Sequence, residues 1–234
     1  MKNLVSCVLF AALAVGFLAP ATAEAVSPKP IAVLSLTSHQ NLAGDTDGIG
    51  ELAKVSDLPT WLSSTLKLFS EGEGLSGLDA TRPWGVVLQL GDGLSAYAFV
   101  PVRDAEYLLW DIDEYIDETE EVGSDVYRVT GTEAGKQLYA KVTGSWVYVA
   151  DSREDLADVA ADPVALLSGL DKKYDAALCL ETKNIPEREG RALINLLGDK
   201  LGSVIRKHAS DEALNFLGEA LNASEQITMG WEKH

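Results

Sequence analysis

Leu138-Tyr139-Ala140-Lys141-Val142-Thr143-Gly144-Ser145-Trp146-Val147-Tyr148-Val149-Ala150 is the stretch whose reading decides the fold. Leu138, Ala140 and Val142 alternate with Tyr139, Lys141 and Thr143, the two-residue period of a strand with one face buried. Gly144-Ser145 supplies a tight turn, and Trp146 to Ala150 returns as a run of bulky β-formers. Upstream, Val86–Leu90 and Leu94–Val102 flank the loop Gly91-Asp92-Gly93, which is the spacing of a second antiparallel hairpin. A strand at Val126–Thr130 makes the stretch from Arg82 to Asp151 a five-stranded unit. Between the hairpins, Asp104 is a candidate cap for a helix to about Ile116. Leu108, Leu109, Ile112 and Ile116 fall on one stripe of that helix, while Glu106, Asp113 and Asp117 face away.

The amino terminus has the three parts of a secretory signal: Lys2, an apolar run from Leu4 to Leu18, and the small residues Ala21-Thr22-Ala23 after Pro20. Residues 1–23 are therefore read as a signal peptide, and Cys7 lies too early in the apolar run to serve as a lipidation site. No later stretch is long and apolar enough to span a bilayer, so no transmembrane segment is expected after cleavage. The mature chain keeps one cysteine, Cys179, inside Ala176-Ala177-Leu178-Cys179-Leu180, where it reads as a buried thiol with no partner for a disulfide.

The formal net charge of -17 is unevenly distributed. From Glu24 to Asp171 there are 26 acids and 9 bases, whereas Lys172 to Lys207 holds 8 bases and 5 acids. Phosphate would meet a repulsive field over most of the surface, so nucleic acid is not an expected partner. The basic region, Lys172, Lys173, Lys183, Arg188, Arg191, Lys200, Arg206 and Lys207, reads as surface charge balancing neighbouring acids, or else as an anion site or a head-to-tail dock for the acidic half of a second copy.

Ile31–Ser38 reads as a buried strand, followed by a weak helix from Asp47 to about Val55 and a better one from Pro59, where Leu58, Leu62, Leu66 and Phe69 share a side. Ser152 and Asp155 have the spacing of a capping box for a helix ending before Pro163. Tyr174–Thr182 then reads as a strand, two helices follow over about 186–221, and Glu225–Trp231 turns extended. This strand-helix-helix-strand order repeats that of Ile31 to Leu90 at a separation of roughly 143 residues. Two readings follow. Residues 24–171 form an α+β domain with two hairpins and 172–234 begin a second, incomplete unit that stops at His234, or the later residues complete the first domain. In the first reading a strand edge at Trp231 is left unpaired unless another chain covers it.

The element order, with Leu78-Asp79-Ala80-Thr81-Arg82-Pro83-Trp84-Gly85 and Gly144-Ser145-Trp146-Val147-Tyr148-Val149-Ala150, resembles a group of uncharacterised secreted proteins common in planctomycete-type bacteria. The resemblance covers most of the mature chain and rests on structural residues, a turn before a strand and a hairpin tip. It implies a secreted bacterial protein and carries over no active site. The end at His234 departs from the longer two-unit pattern.

The motifs that could carry chemistry do not hold up. Gly72-Glu73-Gly74-Leu75-Ser76-Gly77 satisfies a dinucleotide fingerprint by letters, but a helix precedes it and Glu73 would sit beside the phosphate. Asp45-Thr46-Asp47-Gly48 resembles a calcium loop, yet Ala43 and Lys54 would stand where carboxylates are needed. The acidic run Asp111, Asp113, Glu114, Asp117, Glu118, Glu120 and Glu121 reads as a solvated face, and it is the place to look for a divalent ion because Asp113 and Asp117 lie one helical turn apart. His39, with Ser35 or Ser38, makes no triad, His208 and His234 are isolated, and no nucleophile elbow or zinc set occurs. Asn222-Ala223-Ser224 is a glycosylation sequon by pattern, against which the bacterial resemblance argues.

The expectation is an exported α+β protein: a mainly antiparallel sheet with helices packed on one face, secreted or periplasmic. No catalytic, cofactor-binding or metal residues are assigned, and no cofactor is expected. Its expected role is a non-catalytic protein-interaction or structural module, contacting another envelope protein or a second copy. The alternative is a periplasmic small-ligand or divalent-cation binder.

Overall fold

The computed structural model describes residues 28–42, 77–91, 93–111, 116–131, 137–185 and 223–231. Its nine described strands are β1 (Lys29–Leu36), β2 (Trp84–Leu90), β3 (Leu94–Pro101), β4 (Ile116–Gly123), β5 (Val126–Gly131), β6 (Gln137–Thr143), β7 (Trp146–Ala150), β8 (Ala176–Leu180) and β9 (Ile227–Trp231). They form one antiparallel sheet in the order β4-β5-β6-β7-β3-β2-β1-β8-β9.

The expected α+β architecture with helices packed on one face is overturned, because the described chain is β-rich and its helices are short. They are α1 (His39–Leu42), α2 (Ala105–Asp111), α3 (Leu170–Lys173) and the 3-10 turns Glu154–Leu156, Pro163–Leu167 and Thr182–Asn184. The expected helix from Asp104 to about Ile116 is replaced by α2 followed, from Ile116, by β4. The acid-rich segment pairs with β5, which sets Thr119 opposite Val129 and Glu120 opposite Arg128. Helix and strand preferences differ by well under about 1 kcal/mol per residue, so pairing with a neighbouring strand decides the outcome. The Ser152 to Asp155 contact does form, with the Asp155 amide donating to Ser152 Oγ at 3.3 Å, but it opens only a single 3-10 turn. The helices expected over 43–70 and 186–221 lie outside the described residues.

Both predicted hairpins are present, and they adjoin directly through β3 and β7. Gly144, at φ 59°, makes the β6–β7 turn, and Asp125, at φ 57°, makes the β4–β5 turn that the sequence reading did not anticipate. The inner strands are buried on both faces, which is why β1 reads as a continuous apolar run rather than an alternation. One face gathers Ala32, Leu34, Leu36, Trp84, Val86, Leu88, Leu178 and Leu180. The other gathers Val33, Val87, Tyr97, Phe99, Trp146 and Tyr148, capped by Leu156 and Leu167 from the segment that follows β7. That segment is held by Lys141 Nζ, which donates to the Leu156 carbonyl at 2.8 Å, and by the Tyr148 hydroxyl, which donates to the Ala160 carbonyl.

The β1/β8 seam has an internal two-fold. Leu34 stands opposite Leu178, Ala32 opposite Leu180 and Leu36 opposite Ala176. Moving outward, Leu36 faces Trp84 as Leu180 faces Ile227, and Ala32 faces Leu88 as Ala176 faces Trp231. Two equivalent backbone bonds close the ends of the seam: the Thr37 amide donates to the Asp175 carbonyl and the Glu181 amide to the Ile31 carbonyl, each at 2.9 Å.

Two outcomes follow from this packing. A β-carbon at Gly85 would lie 2.5 Å from the Leu34 carbonyl oxygen and 2.8 Å from Phe99 Cζ. Gly85→Ala is therefore expected to cost about 1–3 kcal/mol in a denaturant titration, and an unchanged midpoint would contradict the close approach. Burial pushes the Tyr97 phenol up to about 12, and burial, reinforced by Tyr97 and Asp162 against an opposing Arg82, also raises Tyr148. Both phenols release protons in the unfolded chain near the ordinary value of 10.0 while the folded chain still holds them. The phenols' contribution to stability should therefore be constant below that pH and decline as pH rises through it toward about 12. Tyr97→Phe should make the decline shallower in alkaline melts.

Candidate functional site

The described surface feature with the strongest chemical character sits on α2. The helix starts against Gly77, whose carbonyl accepts the Arg103 and Asp104 amides at 2.9 and 3.3 Å. A β-carbon on Gly77 would lie 2.1 Å from the Leu108 nitrogen, so only glycine permits this approach. Asp104 caps the first turn, with Oδ1 accepting the Glu106 and Tyr107 amides at 2.9 and 3.1 Å. Leu108 points inward to Val102, Ala140 and Val147 and anchors the helix.

With Leu108 turned in, residues 107 and 110 are turned out. Tyr107 is 53% exposed and Trp110 72% exposed, with ring centroids 6.4 Å apart. Asp104 and Glu106 are exposed beside them. Behind the helix, Asp79 lies 3.8 Å from Arg103. Burial acts to raise the Asp79 carboxyl, but two hydrogen bonds from Thr81 and the charges of Arg103 and Arg82 outweigh it and hold the group below the ordinary range. Arg82 also lies over the Trp146 ring at 4.0 Å and donates to Ser145 Oγ at 2.6 Å, which ties the β6–β7 turn to the start of β2. The base of the patch is therefore a fixed platform. Sequence reasoning placed the cap but not the aromatic pair, although Tyr107 and Trp110 fall off the Leu108 stripe at i, i+3 spacing.

The acidic run is divided between elements. Asp111 belongs to α2, residues 113 and 114 lie outside the described residues, and Asp117 to Glu121 lie on β4. The one-turn spacing expected for Asp113 and Asp117 is thus not helical at Asp117. Glu118, Glu120 and Glu121 are exposed, and Arg128 pairs with Glu120 across the strands. Among the described residues, no three His, Cys, Asp or Glu side chains are grouped to hold a metal ion.

His39 is buried beside Ser38, and Ser38 Oγ accepts the Asn41 amide at 3.3 Å. His208, the Gly72 to Ser76 loop and Asp45 to Gly48 lie outside the described residues. Cys179 is a buried free thiol, raised from its ordinary value first by burial and then by Glu181, so it is a poor nucleophile. Of the basic region, Lys183 pairs with Glu181 at 3.1 Å and Lys173 lies 4.8 Å from the Tyr174 ring. Ala223 and Ser224 are exposed. No described helix is long and apolar enough to cross a membrane.

Compared with known protein families, curated proteins and solved structures, the chain matches none.

Proposed function

We propose that this chain is an exported, non-catalytic interaction module that docks another protein of the cell envelope through the aromatic face of α2. The observation that carries the reading is the exposure of Trp110 and Tyr107 as a tilted neighbouring pair of rings on a helix pinned from beneath. An indole left in water forgoes burial of roughly 150–250 Å², and such residues are the ones that dominate binding energy when a partner covers them. Asp104 and Glu106 set the partner's chemistry: a segment bearing Lys or Arg would meet ring faces and carboxylates together. Export is supported by the three-part pattern of residues 1–23. The resemblance to secreted bacterial proteins supports the same compartment.

The test uses the mature chain immobilised against an extract of its own envelope, alongside Trp110→Ala, Tyr107→Ala and, as a surface control, Glu121→Gln. One partner should be retained by wild type and by the control. Either aromatic truncation should weaken it by about 30-fold, the equivalent of about 2 kcal/mol, with melting unchanged because both rings are exposed. Equal retention by wild type and Trp110→Ala would remove this surface from the reading.

A further inference from the structure

The two ends of the sheet are chemically unlike. At one end β4 offers Glu118, Glu120 and Glu121, a row of like charges that repels a second copy of itself. At the other end β9 reads Ile227-Thr228-Met229-Gly230-Trp231 and carries no charge. Among the described residues β9 pairs only with β8.

The internal two-fold defines what the outer side of β9 resembles. Ile227 and Met229 occupy the positions that Trp84 and Val86 hold on β2. On β2, where β3 pairs along the outer side, those two residues are 1% and 4% exposed. On β9 Ile227 and Met229 pack against the same apolar cluster and stay only partly buried. An antiparallel strand laid along β9 would complete the arrangement already built around β2.

We propose that this strand is β9 of a second copy, paired antiparallel about a two-fold axis normal to the sheet. Centring the pairing on Met229 sets Ile227 opposite the partner's Trp231 and leaves all five residues opposed. A two-fold in this direction keeps the same face up on both sides, as the β1/β8 seam does within one chain. The apolar face then runs unbroken from one copy into the next. A second copy suits this edge because the chain carries a net charge of -17, so two copies repel over most of their surface and least along an uncharged strand. Five residues per copy is a small contact beside the roughly 1,000 Å² of a stable interface, so the association is concentration-dependent rather than permanent. It does not use α2 and stands independently of the docking reading above.

The test is sedimentation of the mature chain over a concentration series, with hydrogen exchange read at residues 227–231. The sedimenting mass should rise toward twice that of one copy, and exchange at β9 should slow in step with it. Thr228 is exposed and, in this pairing, lies diagonal to its own copy across the axis. Thr228→Asp and Thr228→Lys should each remain single, their equimolar mixture should recover the doubled mass, and Thr228→Ser should behave as wild type. A chain that stays single throughout the series overturns the proposal. So does a doubling that survives Thr228→Asp or leaves β9 exchange unchanged. The exchange measurement on wild type decides the matter by itself if a charged variant fails to fold.

Discussion

The pairing of β1 with β8 is the contact on which the rest of the sheet depends. It joins strands 144 positions apart, from Leu34 to Leu178, and it sets where everything on either side can lie. On one flank β1 templates β2, β3 and the meander that runs out to β4; on the other β8 templates β9. With Leu34 and Leu178 both fully buried at its centre, the seam removes apolar surface on the order of 1.5–3 kcal/mol for each side chain. Closing so long a loop is entropically unfavourable, but its cost grows only with the logarithm of loop length. A central seam can therefore be assembled from the two ends of the described chain.

From the seam outward, the two faces are built differently. The Leu34 face is aliphatic, whereas the Val33 face is aromatic around Phe99, which meets Trp146 edge to face at 5.7 Å. The Phe99 ring sits where a side chain at position 85 would collide with it, so Gly85 leaves it room, and the aromatic face is shielded by Leu156 and Leu167 from the segment after β7. The Tyr148 hydroxyl donates to the Ala160 carbonyl and the Lys141 ammonium to the Leu156 carbonyl, so these two bonds tie the strap over the aromatic face. The same economy appears at α2, where the helix is a single anchored turn or two and its outward rings have nothing described to cover them.

Much of this was legible from local pattern. Leu138 to Ala150 declares a hairpin because the alternation, turn and return all lie within thirteen residues, and β1 declares itself by its unbroken apolar run. What was not legible depends on distant partners. Ile116 to Gly123 carries acids and a helical stripe, and only β5 makes it a strand. The repeated element order hinted at a relation between Ile31 and Tyr174, but nothing local says that the two strands pair with each other about Leu34 and Leu178. The aromatic pair was missed for a similar reason: a sequence stripe identifies which side of a helix is apolar, not which apolar residues have been left outside.

The charge distribution gains a physical meaning once it is mapped on the sheet order. Among the described residues the sheet ends at β4 on one side and β9 on the other, and the free thiol of Cys179 closes neither edge covalently. At β4 the edge is defended by carboxylates, one of which is tied down by Arg128, so pairing there is disfavoured on electrostatic grounds. If acidity served only solubility, both edges would be expected to share it. Instead β4 carries Glu118, Glu120 and Glu121, while β9 carries no charged residue. A chain carrying this much negative charge repels its own copies over most of its surface, and least along a strand without charge. Selectivity here is thus a matter of which surface is left uncharged as much as of which is charged.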